Sequence, residues 1–373
     1  MKRSQISQIC TDLKKKMVIL TGPRQVGKTT LAQVIKEQFN DPIYLNFDNA
    51  QDRQLIEEQA WLESTDLIIL DELHKMPNWK NYLKGIYDTK PSQQSILVTG
   101  SARLEIFNKV GDSLAGRYFL HRLLPLSVAE LQQLNIQCDF EYLLERGGFP
   151  EPFLVESSVD AQRWRTQYTH SMLSTDIFNF EQVSNLNALQ TIFELLRTKV
   201  GSPISYQSLA RDVSISPTTA KRYVEILEAL YLIFRVTPFS KNIARSILKE
   251  PKIYLFDNGL VKGDAGAKLE NLVAVSLLKH CYGRVDLLGE KYSLHYLRTK
   301  DGLEVDFALA NDGQLEKIIE VKNDDKQLSR SLYDFSQKYS LTGVQLVKSL
   351  RQERRIETIT IRRAERFLGE LFL

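Results

Sequence analysis

Short apolar runs alternate with helical patterns along the first third of the chain. Residues 17–20 are apolar, and the apolar residues after them recur at helical spacing through Leu31, Val34, Ile35 and Phe39. Three similar runs occupy residues 43–47, 67–70 and 95–98. Continuous apolar runs of this length are typical of strands buried on both faces of a parallel sheet. Strands separated by helices predict an α/β domain, which we assign to residues 1–126.

The middle of the chain has helical spacing. Residues 127–186 predict a helical lid interrupted by a Gly-Gly-Phe-Pro break at residues 147–150. Residues 187–250 predict three helices, with Ser205 and Ser216 as N-caps of the second and third, and then a strand. This pattern resembles a winged helix-turn-helix.

The last part of the chain, residues 251–373, predicts strands around one long apolar helix. Residues 303–309 alternate in polarity, residues 317–322 form a second strand, and Asn-Asp-Gly at 311–313 predicts the hairpin turn between them. Folding about that turn brings Asp306 close to Glu320.

The overall composition does not change the predicted fold, but the distribution of charge along the chain is uneven. With 49 Lys and Arg against 46 Asp and Glu, the net charge of +3 does not by itself indicate nucleic acid. Residues 41–80 hold nine acids and three bases, whereas residues 191–250 hold nine bases and five acids, and residues 346–366 seven and three. Such asymmetry is compatible with a nucleic-acid partner.

The sequence also excludes several classes of protein. Its 43% hydrophobic and 25% charged residues are typical of a globular protein and not of a disordered chain. Cys10, Cys138 and Cys281 lie far apart, without zinc-type spacing, so we expect reduced thiols. No run approaches the roughly 18 apolar residues of a membrane span, and the N-terminus lacks an apolar signal segment. We therefore expect a cytoplasmic protein with no membrane partner.

The most specific motif follows the first apolar run. Thr-Gly-Pro-Arg-Gln-Val-Gly-Lys-Thr-Thr at residues 21–30 lies between a strand and a helix, the context that a phosphate-binding P-loop requires. Glycines let the loop turn its N–H groups toward phosphate, the lysine reaches the β- and γ-phosphates, and the first threonine after it ligates Mg²⁺. The expected ATP-binding residues are Gly22, Pro23, Arg24, Gln25, Val26, Gly27, Lys28, Thr29 and Thr30.

Two later strand ends supply the groups that hydrolysis needs. The strand at 67–72 ends in Asp71 and Glu72, where Asp71 would hold Mg²⁺ through water and Glu72 would polarise the attacking water. The strand at 95–101 ends in hydroxyls, and either Thr99 or Ser101 can lie near the γ-phosphate and the attacking water. Spacing does not decide between these two.

The order of P-loop, acidic strand end and polar strand end resembles the AAA+ branch of P-loop ATPases. The runs at residues 113–117, 123–127, 147–151 and 252–260 are similar to those of a prokaryotic AAA+ family with a C-terminal domain of unknown function. The resemblance implies a homo-oligomer, in some cases a ring, in which an arginine completes a neighbour's site. Arg117 is the best match, followed by Arg103 and Arg122, and a surface or intrachain ion pair is the alternative role.

Two segments are candidates for contact with DNA. On the third helix of the winged-helix pattern, Thr218, Thr219, Lys221 and Arg222 lie away from the apolar stripe, where a DNA-bound helix meets groove or phosphates. Winged helices also act as lids and docking modules. The arginine-rich segment at 346–366 can line a phosphate backbone or simply form a solvated face.

The C-terminal hairpin carries a second candidate metal site. Glu270 on the long helix, Asp306 on one strand, and Glu320 with Lys322 on the next resemble the PD-(D/E)XK nuclease core. In that fold the carboxylates hold Mg²⁺, and the metal and lysine activate water. A polar hairpin with a salt bridge is the alternative, and the restriction-endonuclease-like fold can exist without cleavage.

These observations predict an oligomeric, Mg²⁺-dependent AAA+ ATPase with a lid, a winged helix and a nuclease-like domain. Lys28, Glu72, Thr99, Ser101 and Arg117 are the expected catalytic residues. The first hypothesis is an ATPase that binds and remodels DNA, including branched DNA. A second is an ATP-controlled, metal-dependent nuclease. A third is a nucleotide-gated switch or scaffold for a protein partner.

Overall fold

The computed structural model describes residues 3–100, 114–137, 139–174, 177, 183, 185–240, 250–299, 301–325 and 327–373. It divides into two compact units, Met1–Leu124 and Pro125–Leu373. Ser101 and Arg103 lie outside the described residues. The further division at residues 186 and 250 stays a prediction.

The first unit is a five-stranded parallel sheet with helices between its strands. Its strands are β1 (Met17–Thr21), β2 (Pro42–Asn46), β3 (Leu67–Asp71), β4 (Ser95–Thr99) and β5 (Tyr118–Arg122). Its helices are α1 (Ile6–Leu13), α2 (Lys28–Lys36), α3 (Ala50–Glu58) and α4 (Trp79–Thr89), with a short 3₁₀ helix at Leu73–Lys75. The strand order is β2-β3-β4-β1-β5.

Burial explains why these runs are strands. Every residue of β1, β3 and β4 is buried, as expected where helices cover both faces of a parallel sheet. Because β4 lies between β1 and β3, the ends of all three strands meet at one edge. The loop after β1 and the polar residues ending β3 and β4 are thereby brought together.

The second unit begins with helices. They are α5 (Val128–Gln133), α6 (Phe140–Arg146), α7 (Pro150–Leu154) and α8 (Ser158–Ser174), then α9 (Leu186–Thr198), α10 (Tyr206–Asp212) and α11 (Pro217–Ala229). The predicted caps are confirmed, since Ser205 and Ser216 accept hydrogen bonds from the backbone N–H of Ser208 and Thr219. The predicted stripe of α11 is buried, from Ala220 to Leu230.

An eight-stranded mixed sheet completes this unit. Its strands are β6 (Ile233–Pro238), β7 (Lys252–Leu255), β8 (Tyr292–Arg298), β9 (Glu304–Asn311), β10 (Gln314–Asp324), β11 (Thr342–Ser349), β12 (Arg354–Ile356) and β13 (Ile359–Arg363). Its helices are α12 (Ala265–Leu288), α13 (Arg330–Tyr339) and α14 (Ala364–Gly369), and a 3₁₀ helix spans Asn258–Leu260. The strand order is β12-β13-β11-β10-β9-β8-β6-β7.

The sheet joins segments that the sequence assigned to different domains. Strands β6 and β7 form an antiparallel pair across the predicted boundary at residue 250, and β6 also pairs with β8. The β9–β10 hairpin has the predicted turn, with positive φ at Asp312 and Gly313. The backbone after helix α11 is therefore continuous with the C-terminal sheet.

Candidate functional site

The loop between β1 and α2 is shaped by glycine. Gly22 has a φ of +146°, and a Cβ there would lie 2.1 Å from the carbonyl oxygen of Leu123. Gly27 has a φ of +98° and starts α2. Side chains at these two positions would be strained or would collide with backbone, so the loop needs glycine at both.

Lys28 is buried beneath this loop. Its Nζ donates hydrogen bonds to the carbonyl oxygens of Gly22 at 3.0 Å and Pro23 at 2.7 Å. Burial lowers the pKa of Lys28 to about 8, although the nearby carboxylates of Glu72 and Asp71 oppose this shift. The ammonium is thus held at the loop by neutral carbonyl groups.

Asp71, at the end of β3, accepts hydrogen bonds from three side-chain hydroxyls. Its Oδ2 accepts from Thr29 Oγ1 at 2.9 Å and from Tyr44 OH at 2.6 Å, and its Oδ1 accepts from Thr99 Oγ1. The backbone N–H of Glu72 adds a fourth hydrogen bond, at 3.0 Å to Oδ1. Hydroxyls fix the direction of a carboxylate without adding positive charge to it.

Glu72 is the second acidic residue at this edge. It adopts a left-handed backbone conformation with a φ of +56°, directly before the 3₁₀ helix. Burial raises its pKa; Lys75 opposes this shift, and Asp71 adds to it. The side chain lies 3.6 Å from His74 and 3.7 Å from Lys75. We call Lys28, Thr29, Tyr44, Asp71, Glu72 and Thr99 the P-loop site.

Most of the predicted residues of this site lie together, and two contributors were missed. Of the two candidate hydroxyls, Thr99 reaches Asp71. Tyr44 was not predicted, because a tyrosine inside a strand has no motif of its own. Its place on β2, two residues before the residue paired with Asp71, is the only signal the sequence offered. Arg3 was missed too, and donates to the carbonyl oxygen of Val26 in the loop at 3.0 Å.

The two described arginines that could complete a neighbouring copy's site, Arg117 and Arg122, lie at different edges of the sheet. Arg117 precedes β5, at the edge away from the loop, and makes a bidentate ion pair with Asp88 at 2.8 and 3.0 Å. Arg122 ends β5 and pairs in register with Thr21, beside the loop. The intrachain ion pair considered for Arg117 is therefore present.

The second unit assembles the other acidic residues around an unexpected lysine. Lys252 Nζ lies 2.7 Å from Glu304 Oε1, 3.4 Å from Asp306 Oδ1 and 3.6 Å from Glu270 Oε1. We call Glu270, Glu304 and Asp306 with Lys252 the carboxylate cluster. Glu320 lies beside it and pairs with Lys322 at 2.8 Å. Within the described residues no group of three or more His, Cys, Asp or Glu is arranged to hold a metal ion.

The predicted DNA-facing positions lie on the open side of α11. Thr218 and Lys221 are exposed and Arg222 is half-buried, whereas the hydroxyl of Thr219 is hydrogen-bonded to Ser216 at the cap. In the C-terminal basic segment, by contrast, arginines form ion pairs with carboxylates of the same chain. These are Arg354 with Asp325, Arg362 with Glu370, and Arg366 with Glu353.

A buried polar network accounts for two glycine-containing motifs of the second unit. Arg165 Nε lies 2.9 Å from Asp257 Oδ2, and Asp257 Oδ1 accepts from the N–H of Gly259. A Cβ on Gly147 would lie 2.1 Å from that same Oδ1, and Gly147 has a φ of +66°. Asn258 donates to the carbonyl of Leu144 at 2.6 Å. These motif residues therefore join α6 and α8 to the strand end after β7.

Comparison with known proteins agrees with the architecture of the first unit. Residues 14–132 match the family model described as an AAA domain. Residues 137–270 and 265–365 match two models described as domains of unknown function, DUF8612 and DUF4143. The first segment is thus a parallel-sheet P-loop ATPase domain of the AAA type. No described helix is long and apolar enough to cross a membrane.

The relatives that match in sequence are uncharacterized proteins from several organisms. One from Mycobacterium tuberculosis is 28% identical over 66% of this chain and 55% of its own length. One from Haemophilus influenzae is 23% identical over 71% and 74%, and one from Methanocaldococcus jannaschii 24% over 88% and 81%. The chain thus spans about half the length of the mycobacterial relative.

Among solved structures, the Walker-type ATPase of Pyrococcus abyssi matches 70% of this chain and 94% of its own, with 15% identity and a TM-score of 0.41. A RuvB variant of Thermotoga maritima matches 62% and 87%, with 19% identity and a TM-score of 0.33. Both TM-scores are below 0.5, too low to show a shared fold over the matched length.

Proposed function

We propose that this protein hydrolyses ATP with Mg²⁺ at the P-loop site. The observation that carries the proposal is the hydrogen bonding of Asp71, a carboxylate held by Thr29 and Thr99 beside the P-loop lysine. The residues present fit the metal, since a threonine hydroxyl lies 2.9 Å from a carboxylate that makes no salt bridge with a described ammonium. Thr29 and Asp71 would hold Mg²⁺, Asp71 through water.

Each residue of the site has a defined task in this proposal. The loop from Gly22 to Thr30 binds the phosphates through its backbone N–H groups and the N-terminus of α2. Lys28 would donate to the β- and γ-phosphates, and Mg²⁺ held by Thr29 and Asp71 would supply neutralisation of the developing charge. Glu72 would orient and polarise the attacking water, which its raised pKa suits, because a stronger base accepts a proton more readily. Thr99 holds Asp71 in place and would lie near the γ-phosphate.

We also propose that an arginine of a second copy completes the site. Arg117 directly precedes β5, so it lies at the edge of the sheet opposite its own loop, and its side chain is partly exposed. Arg117→Ala should then retain ATP binding but lose turnover, and mixing it with Glu72→Gln copies should restore turnover in the mixed assembly. Failure of any mixture to exceed the sum of the two variants would contradict a trans role.

For the second unit we propose a winged helix in α9–α11 with β6 and β7, and a nuclease-like fold in the C-terminal sheet. We further propose that α11 contacts DNA. Support comes from charge, since no ion pair joins Lys221 or Arg222 to another described residue, whereas Arg354, Arg362 and Arg366 of the C-terminal segment are paired. Free cations on an exposed helix are available to phosphates, and paired ones would first have to break their ion pairs.

Steady-state ATP turnover tests the proposed ATP hydrolysis and the proposed action on DNA. Wild type and Glu72→Gln are measured at low salt without DNA and with single-stranded, duplex or four-way DNA. Turnover that needs Glu72 and rises with one DNA form supports an ATPase that acts on DNA. Turnover unaffected by Glu72→Gln would refute the assignment of the site, and indifference to all three DNAs would favour a switch for a protein partner.

A salt titration separates α11 from the C-terminal arginines. Lys221→Ala with Arg222→Ala should lower DNA affinity and reduce the slope of log affinity against log salt by about two, as for the loss of two phosphate contacts. Arg366→Ala is the matched control, because Arg366 is exposed but paired with Glu353. An equal loss in the control would contradict the role of α11.

A further inference from the structure

The nuclease-like fold proposed for the C-terminal sheet implies a divalent metal among its carboxylates. Whether the residues of the second unit fit such an ion depends on what lies between Glu270 and Asp306. Lys252 Nζ lies between them, 3.6 Å from one carboxylate and 3.4 Å from the other, and only 2.7 Å from Glu304. A divalent ion bound at about 2.1 Å from these oxygens would lie within a few ångströms of an ammonium. With this ammonium among them, Glu270, Glu304 and Asp306 therefore do not fit a divalent metal.

Lys252 is fixed at this place by the sheet. It begins β7, where it pairs in register with Val236 of β6, and its backbone also bridges to Pro203. The side chain is 1% exposed, and its Nζ lies 5.5 Å from the centre of the Tyr296 ring. A lysine enclosed in this way has no path to solvent by a simple rotamer change.

The oxygens of the cluster have partners other than a metal. Asp306 Oδ2 accepts from the backbone N–H of Val321 at 2.9 Å, and Glu270 Oε1 accepts from Tyr254 OH at 2.7 Å. Glu304 has a second cation in Arg298 at 3.6 Å. Gly201 faces the Glu270 carboxylate so closely that a Cβ would lie 2.6 Å from Oε1. Glu270, Glu304 and Asp306 thus each have partners inside the chain, whereas Oε2 of the neighbouring Glu320 is buried without a hydrogen bond.

Electrostatics agrees with the geometry. Burial alone would lower the pKa of Lys252, but the carboxylates of Asp306, Glu270 and Glu304 more than offset it, so the pKa is raised. The side chain therefore carries its positive charge at neutral pH. A buried charge of this kind is retained only where opposite charges surround it.

We propose that the Lys252 ammonium is the resident cation of the C-terminal carboxylate cluster and takes the place of a divalent metal. Unit two then holds strand β7 to α12 and β9 through this lysine and does not cleave nucleic acid by a metal-dependent route. The proposal rests on the nuclease-like fold proposed above, and it holds whether or not α11 contacts DNA.

Titration of the full-length protein with Mn²⁺, without nucleotide, tests this inference. Binding is measured as the decrease in the spectroscopic signal of free Mn²⁺. Asp306→Asn should bind Mn²⁺ no differently from wild type. Lys252→Met removes the charge and keeps the length, and should bind one additional Mn²⁺ per chain at least tenfold more tightly than wild type. The double variant Lys252→Met with Asp306→Asn should lose that additional site.

Several results would overturn the proposal. One is a wild-type Mn²⁺ site that disappears in Asp306→Asn, and another is Mn²⁺-dependent nicking of supercoiled DNA that Asp306→Asn abolishes. A folded Lys252→Met that gains no Mn²⁺ would also contradict it. If Lys252→Met does not fold, the comparison of Mn²⁺ binding by wild type and Asp306→Asn tests the proposal by itself, because both proteins keep the lysine. An inactive ATPase would not alter these readouts, so failure of the proposed ATP hydrolysis is distinguishable.

Discussion

The P-loop site and the carboxylate cluster use similar acids in opposite electrostatic settings. Asp71 receives hydroxyls from Thr29, Tyr44 and Thr99, whereas Asp306 faces the ammonium of Lys252. Hydroxyl donors orient a carboxylate and leave its charge available to an incoming cation, but a buried ammonium already neutralises it. An aspartate at a strand end therefore indicates a metal site only when no buried ammonium is already paired with it.

The largest expected difference between the two regions is in catalysis. Asp71→Asn should lower Mg²⁺-dependent ATP turnover by about 100-fold or more, because it removes the carboxylate that would hold the metal. The matched substitution Asp306→Asn should leave turnover within about twofold, since the carboxylate cluster takes no part in hydrolysis. Steady-state rates of the two variants decide this. Comparable losses in both would show that the two sites are not separate in function.

Stability should respond in the second unit where a glycine faces Asp257. Gly147→Ala places a methyl group 2.1 Å from Asp257 Oδ1 in a positive-φ backbone, and we expect a loss of about 3 kcal/mol in the free energy of unfolding. Gly289→Ala is the control, because it has a φ of +70° with open space around it and should cost only about 1 kcal/mol.

Urea denaturation measures both glycine variants. The difference between them isolates the collision with the buried polar network from the strain of the backbone alone. Equal losses would mean that the network yields without cost and does not hold α6 to the strand end.

The pH dependence of nucleotide binding should identify Lys28. Its pKa of about 8 in the free protein means that the ammonium is charged below pH 8 and loses its proton above it. Because phosphate binds the charged form, the apparent Kd for ATP should be flat below pH 8 and rise about tenfold per pH unit above it. Fluorescent nucleotide titrations between pH 7 and 10 measure this. A guanidinium stays charged, so Lys28→Arg should abolish the slope, and a sloping profile in that variant would assign the titration elsewhere.

The smallest effect concerns the hydroxyl that the sequence did not reveal. Tyr44→Phe removes one hydrogen bond to Asp71 and should raise the Mg²⁺ concentration for half-maximal turnover about fivefold, equivalent to about 1 kcal/mol. Tyr44 positions Asp71, so turnover at saturating Mg²⁺ should hardly change. Tyr82→Phe is the control, since Tyr82 donates to the backbone of Ile56. A fall in saturated turnover without a change in Mg²⁺ dependence would exclude the positioning role.

Secondary-structure elements were predicted from the sequence better than side-chain contacts between distant residues. The buried strands, the caps at Ser205 and Ser216, and the β9–β10 hairpin all follow from local pattern, and the structure has them. Contacts made across long separations had no such signal. Lys252 heads an apolar strand, and only the fold brings it to residues 18 to 54 positions further along the chain.

The same limit explains other parts of the chain. Arg165 and Asp257 are 92 residues apart and meet in the buried network, although nothing in their local sequence links them. A basic composition at 346–366 was compatible with phosphate binding, yet the fold pairs Arg354 and Arg362 with carboxylates of the same chain. The charge pattern of a sequence shows where charged residues occur, but their ion-pair partners depend on the tertiary structure.

The stoichiometry of Mn²⁺ bound with a non-hydrolysable ATP analogue tests the central comparison most directly. We expect one Mn²⁺ per chain, lost in Asp71→Asn and retained in Asp306→Asn. Two ions per chain in wild type, or loss of the ion in Asp306→Asn, would contradict this expectation.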